Sequence, residues 1–158
     1  MGGREERKPI ASNRRARYEY EILDSIEAGI VLSGPEVKSL RAGRANLSDA
    51  YAILRGSEVF LRKLHISPYQ QAGRENADPT RDRKLLLHRQ EINRLRSKVA
   101  EKGLTLVPLS LYWKNGRAKV ELAVARGKRR YDKREAIRRR EQDREVRRAS
   151  RYKGRGRG

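Results

Sequence analysis

Over residues 18–32 apolar and polar positions alternate. Tyr18, Tyr20 and Ile22 share one face, and after a break at Asp24-Ser25 the alternation resumes with Ile26, Ala28, Ile30 and Leu32. A period of two is that of a strand, and the break predicts a bulge or bend of the kind that turns a barrel corner. Ser33-Gly34-Pro35-Glu36 reads as a helix start, with a capping hydroxyl and a proline in the first turn. Val37 and Leu40 give that helix an inner face, and Gly43 ends it. Strands are predicted over 50–55 and 58–64, joined by a two-residue turn at Gly56-Ser57. Residues 66–82 read as a polar loop with Pro68, Gly73 and Pro79, and the apolar run at 84–88 has no assignable period. Residues 91–102 carry Ile92, Leu95 and Val99 on one face of a helix, with Gly103 at its end. A strand over 104–113, the hairpin signal Asn115-Gly116 and a returning strand over 119–125 complete the pattern.

The fold class that follows is mainly β: a small closed OB-like antiparallel barrel over residues 13–125, with two or three flanking helices. Residues 1–12 read as a flexible polar leader.

Charge adds a second division. Forty Lys and Arg against twenty Asp and Glu leave a net +20 on 158 residues, 38% of them charged and only 36% apolar. Such a chain repels itself until a polyanion neutralises it, and nucleic acid is the commonest one. Residues 126–158 hold sixteen of the basic and five of the acidic residues, so more than half of the positive excess sits in a fifth of the chain. That tail has few residues able to form a core but many helix formers, so it is expected to be disordered when free and helical once bound to phosphate.

The candidate chemistry is binding, not catalysis. Cysteine is absent and histidine occurs only at 65 and 88; there is no phosphate-binding glycine loop, paired acid and base or metal-ligand cluster. No enzyme activity, cofactor or metal is expected. A polar, charged N-terminus and the lack of a long apolar run predict a cytoplasmic chain that meets no membrane. Four basic runs point to RNA. Arg14, Arg15 and Arg17 precede Tyr18; Lys38 and Arg41 lie on the first predicted helix, near Asn46; Arg81, Arg83 and Lys84 form a cluster; and residues 126–131, including Lys128 and Tyr131, open the tail. Arginine both grips phosphate and stacks on bases. With one Phe and one Trp, the chain lacks a broad stacking platform and reads as a binder of folded RNA shape. Glu27 and Glu36 suit either an ion pair with Arg or an acceptor for a base or ribose, and His65 either a packed or a stacking role. A ribosomal protein and an RNA-modifying enzyme are the rival classes; the first would stay on the ribosome in high salt, and the second lacks its catalytic groups.

The motifs Asn13-Arg14-Arg15-Ala16-Arg17-Tyr18-Glu19-Tyr20, Glu27-Ala28-Gly29-Ile30 and Gly34-Pro35-Glu36-Val37-Lys38-Ser39-Leu40-Arg41-Ala42-Gly43, with Asn46, resemble the SsrA-binding protein family, also called small protein B. Asp78-Pro79-Thr80-Arg81, Arg83-Lys84-Leu85-Leu86-Leu87, Pro108-Leu109-Ser110-Leu111-Tyr112, Gly127-Lys128 and Asp132-Lys133-Arg134 carry the same resemblance in order along the chain. It implies an OB-like barrel that holds the tRNA-like domain of tmRNA and a tail that enters the decoding region and empty message channel of stalled ribosomes, where it becomes helical. The nascent peptide is then tagged for proteolysis. The implied partners are tmRNA, the ribosome with its rRNA, and elongation factor Tu with GTP, bound by a monomer. The implied tmRNA side comprises Asn13, Arg17, Glu27, Glu36, Lys38, Arg41, Asn46, Leu87 and Lys128, within motifs that also contain Arg15, Tyr18, Gly29, Ser39, Arg81, Arg83 and Lys84. The implied decoding side comprises Asp132, Lys133 and Arg134, with Tyr131 and Ile137 matching in character. Two features depart from the family: Tyr18 stands where members often carry His, and the end 153–158, rich in Gly and Arg, has no counterpart.

Overall fold

The computed structural model describes residues 6–101 and 103–127. The tail from residue 128 onward, with Lys128, Tyr131, Asp132, Lys133, Arg134 and Ile137, lies outside the described residues.

Among the described residues nine strands, three α-helices and one 3-10 helix follow in the order β1 (Lys8–Ser12), α1 (Arg14–Glu19), β2 (Tyr20–Ile30), α2 (Gly34–Arg41), β3 (Ala45–Asn46), β4 (Tyr51–Arg55), β5 (Glu58–Arg62), β6 (His65–Ile66), the 3-10 helix Gln70–Glu75, β7 (Arg83–Leu86), α3 (Arg89–Val99), β8 (Leu104–Lys114) and β9 (Arg117–Gly127). All strand pairings are antiparallel. The main sheet runs β1-β8-β4-β5-β7-β2-β9, and β9 pairs back onto β8, so the ladder of hydrogen bonds returns to a strand it has already used.

The predicted break in the long strand is a bulge. The pairing of β2 with β9 shifts between Ile22 and Asp24. An extra residue reverses which face each later side chain takes. Ile22 accordingly packs against a small cluster of Ala16, Val107, Leu109, Ala123 and Ala125, while Ile26, Ala28 and Ile30 pack in the main core with Leu61, Leu85, Leu111 and Val120. The same device recurs in β8, where the register shifts between Pro108 and Ser110. Leu109 faces the small cluster and Leu111 the main one, and Pro108 has no N–H to donate to the ladder. The β8–β9 hairpin is thus covered on both faces, by the main core on one side and by α1 on the other.

Three expectations are corrected. Tyr18 does not open the long strand; it lies on α1 and is 66% exposed. Residues 8–12 are no flexible leader but a strand paired with β8, held through Ile10 and Ala11 against the main core. The loop at 66–82 starts on the last residue of β6 and contains the 3-10 helix, and the first part of the unassigned apolar run belongs to β7. The turn signals are borne out: Asn115 and Gly116 both take positive φ (54° and 74°) between the hairpin strands, and Ser33 caps α2 in a reciprocal capping box with Glu36.

Candidate nucleic-acid interface

The expected site residues fall into three groups: side chains that hold the fold, side chains on one exposed face, and side chains around one groove.

The first group is buried. Asn13 caps α1 by accepting from the Ala16 N–H at 3.0 Å, and its amide donates to the carbonyls of Pro108 (2.8 Å) and Leu47 (3.1 Å). Ser39 is 1% exposed and donates to the Ser67 carbonyl at 2.6 Å. Arg83 has no exposed surface, although sequence places it in a surface cluster. Its guanidinium donates to Glu36 Oε2 (2.9 Å) and to the carbonyls of Leu64 (2.5 Å) and Pro79 (3.0 Å). Glu36 also accepts from Arg81 at 2.6 and 2.9 Å and from the Ser33 N–H at 2.9 Å. Of its two readings, the structure holds the ion pair. Burial pushes the Glu36 carboxyl up, but the bonds from Arg81, Ser33 and Arg83 outweigh it and hold it below the usual glutamate range. Burial likewise pulls the Arg83 guanidinium down, and Glu36 opposes the pull. As placed, Asn13, Ser39, Glu36 and Arg83 have their polar atoms satisfied inside the protein. They position the surface rather than present themselves on it.

The exposed face is built by α2 with the β3–β6 pair. Asn46 and His65 are cross-strand partners, and Lys38 and Arg41 project from the last turn of α2. Lys38 Nζ lies 5.6 Å from the centre of the Tyr69 ring, a cation–π distance. These four expected residues thus stand exposed on neighbouring elements, since α2 packs beside β6 through Ser39 and Ser67. Arg15 and Arg17 are exposed on α1, where Arg15 pairs with Glu19 (3.0 Å) and Asp49 (3.1 Å) and Arg17 approaches Glu121 at 3.7 Å. Lys84 pairs with Glu58 at 2.8 Å on the surface.

The groove has a volume of about 680 Å³ and is lined by Glu27, Gly29, Leu87, Trp113, Arg117 and Lys119 among others. Gly29 faces Leu86 across the ladder, and a Cβ there would lie 3.3 Å from the Leu86 Cβ, so only glycine lets β7 lie this close without displacement. Glu27 accepts from the Tyr112 hydroxyl at 2.5 Å and from Lys114 Nζ at 3.2 Å, with Arg7 3.7 Å away. Burial raises its carboxyl, but Tyr112 and Lys114 hold it below the ordinary value. The Tyr112 hydroxyl is pushed far above its usual range, by burial first and by the Glu27 hydrogen bond second.

Sequence reasoning missed Trp113, Arg117 and Lys119, which line the groove, and Tyr112 and Lys114, which hold Glu27 at its edge. They sit on the hairpin around Asn115-Gly116, read only as a turn. The available signal was the alternation Tyr112, Lys114 and Arg117, Lys119, which places aromatic and basic groups beside one turn.

Among the described residues no helix is long and apolar enough to cross a membrane.

Comparisons with known proteins agree on one family. A family model described as SmpB protein matches residues 10–152. The SsrA-binding protein of Desulforudis audaxviator is 56% identical over 150 residues, covering 95% of this chain and 98% of its own. That of Geobacillus thermodenitrificans is 58% identical over 146 residues, covering 92% and 94%. A solved structure described as "tmRNA-SmpB: a journey to the center of the bacterial ribosome" is 52% identical, covers 83% of this chain and 96% of its own, and superposes with a TM-score of 0.67. A match of that extent and identity, over a fold with the same β architecture, means that the chain belongs to the SmpB family.

Proposed function

We propose that this chain binds the tRNA-like domain of tmRNA and delivers it to stalled ribosomes for trans-translation, so that the nascent peptide is tagged for proteolysis. The observation that carries this reading is near-full-length identity to SsrA-binding proteins, joined to the exposed basic side chains of α2. The circuit of strand pairings through β8, β4, β5, β7, β2 and β9 and back to β8 supports a closed OB-like barrel as the RNA-holding body over residues 13–125. Direct contacts are assigned to the exposed or half-exposed members: Arg15, Arg17, Tyr18, Glu27, Lys38, Arg41, Asn46, His65, Arg81, Lys84 and Leu87. Asn13, Gly29, Glu36, Ser39 and Arg83 act by positioning them.

The tail carries the second half of the proposal. Lys128 belongs with the tmRNA side, and Tyr131, Asp132, Lys133, Arg134 and Ile137 serve the decoding centre and empty message channel, where ribosomal phosphate neutralises the charge and lets a helix form. The chain works as a cytoplasmic adaptor without enzymatic chemistry or a cofactor of its own. Elongation factor Tu with GTP joins through tmRNA.

The test is to recover the tagged protein from cells and sequence the RNA bound to it. One dominant small RNA with a tRNA-like end is the expected result. A uniform spread of ribosomal RNA would make the chain a general ribosome binder and overturn the adaptor reading.

A further inference from the structure

Arg7 is the residue before β1, and the pairing of that strand with β8 sets Lys8 opposite Trp113 and Pro9 opposite Tyr112. The Arg7 side chain folds back over the hairpin. Its guanidinium carbon lies 4.3 Å from the centre of the Tyr112 ring, and one terminal nitrogen lies 3.7 Å from Glu27 Oε2. Tyr112 itself is buried and held through its hydroxyl by Glu27, so ring and carboxylate together fix the guanidinium from below and from the side. The Arg7 side chain remains 49% exposed. A flat cation lying over a fixed ring and half exposed has surface left for a second planar group.

Beside it, Lys114, Arg117 and Lys119 surround a hollow of about 340 Å³ that shares Glu27. A planar cationic surface next to a cluster of ammonium and guanidinium groups matches one nucleotide: the base stacks and the phosphate meets the cations. We infer that Arg7, backed by Tyr112, is a stacking platform for one unpaired nucleobase of the bound RNA, whose phosphate lies against Lys114, Arg117 and Lys119. This site rests on the proposed function, and it adds a contact from a segment that sequence reads as a flexible leader.

Planarity is what distinguishes this role from a surface ion pair with Glu27. Binding of transcribed tmRNA to the full-length chain and to R7K and R7A, measured across salt concentrations, separates the two. Lysine keeps the charge but not the plane. R7K is expected to bind about tenfold more weakly with an unchanged salt slope, the loss of one base stack. R7A is expected to lose at least as much affinity, again with the slope little changed, because Arg7 meets the base while the phosphate lies on other cations. Circular dichroism melts matching the wild type show that both variants are folded, as an exposed residue allows. Wild-type binding with R7K at full affinity overturns the stacking site and leaves the proposed function standing. No tmRNA binding by the wild type overturns both.

Discussion

Among the described residues Arg83 is the largest side chain with no exposed surface, and what it touches explains how a surface motif can work from inside. It joins Glu36 on α2 to the carbonyls of Leu64 and Pro79, so one guanidinium ties α2, the link between β5 and β6, and the loop before β7 together. Breaking a buried pair from one side costs about 3–5 kcal/mol because the remaining charge is left desolvated. Arg81 still pairs with Glu36 after Arg83→Met, which places the expected loss near 3 kcal/mol, measured as a drop in urea unfolding free energy. A loss below 0.5 kcal/mol, within the range of about ±0.5 for ordinary surface substitutions, would refute the buried-pair account. The same carboxyl sets a pH dependence. Its value in the folded protein is depressed, so its stabilisation is present above the unfolded glutamate value of about 4.3 and is lost as pH falls through the lower folded value. The stability gap between wild type and Glu36→Gln should be constant above pH 5 and narrow below pH 4. Parallel curves down to pH 3 would assign the acid sensitivity elsewhere, to Asp24 or Glu27, which are depressed too. None of this was legible in the sequence. Glu36 could be weighed as an ion pair, but its partners lie 45 and 47 residues away, and nothing local marks Arg83 as buried while Lys84 beside it pairs at the surface.

At the scale of elements, what could be read was what is encoded locally. The capping box at Ser33, the turns at Gly56-Ser57 and Asn115-Gly116, and the bulge near Asp24 are each written within a few residues, and each is where the pattern placed it. What could not be read depends on a distant partner. Residues 8–12 contribute only Ile10 and Ala11 to the core, too little to announce a strand, and they become one because β8 offers an edge. The run at 84–88 shows no period in sequence because an exposed position is itself apolar: Leu85 is buried, while Leu86 is 52% exposed at the groove. The hairpin gives a direct test of local encoding. Gly116 sits at φ 74° with nothing within 4 Å of where a Cβ would stand, so Gly116→Ala meets no clash and only the cost of a left-handed backbone, about 1–2 kcal/mol. A thermal melt should show that loss; an unchanged melting temperature would mean that the turn relaxes to another type without penalty.

For the whole molecule, the main question is how charge is divided. The body over residues 1–125 carries 24 basic and 15 acidic residues, and the tail over 126–158 carries sixteen and five. In the body many of these charges are paired: Arg15 with Glu19 and Asp49, Arg62 with Asp82, Lys84 with Glu58. Pairing of that kind leaves Lys38 and Arg41 on α2 as a local positive surface, suited to one folded RNA rather than to any polyanion. The tail has too few carboxylates for such pairing, and its charge is suited to the dense phosphate of a ribosome. The two parts should therefore fail separately. Arg41→Ala is expected to weaken tmRNA binding and lower its salt slope by about 0.7 to 0.9, the share of one phosphate contact. Changing Asp132, Lys133 and Arg134 together to Ala removes one net positive charge from the tail and should leave tmRNA affinity within about twofold, because electrostatic binding follows the phosphates neutralised. It should nonetheless abolish peptide tagging on stalled ribosomes in a reconstituted translation reaction. A triple variant that loses tmRNA affinity as severely as Arg41→Ala would mean that body and tail grip the same RNA, and the separation of roles would have to be abandoned. Full affinity with no tagging would place the ribosomal step in the tail.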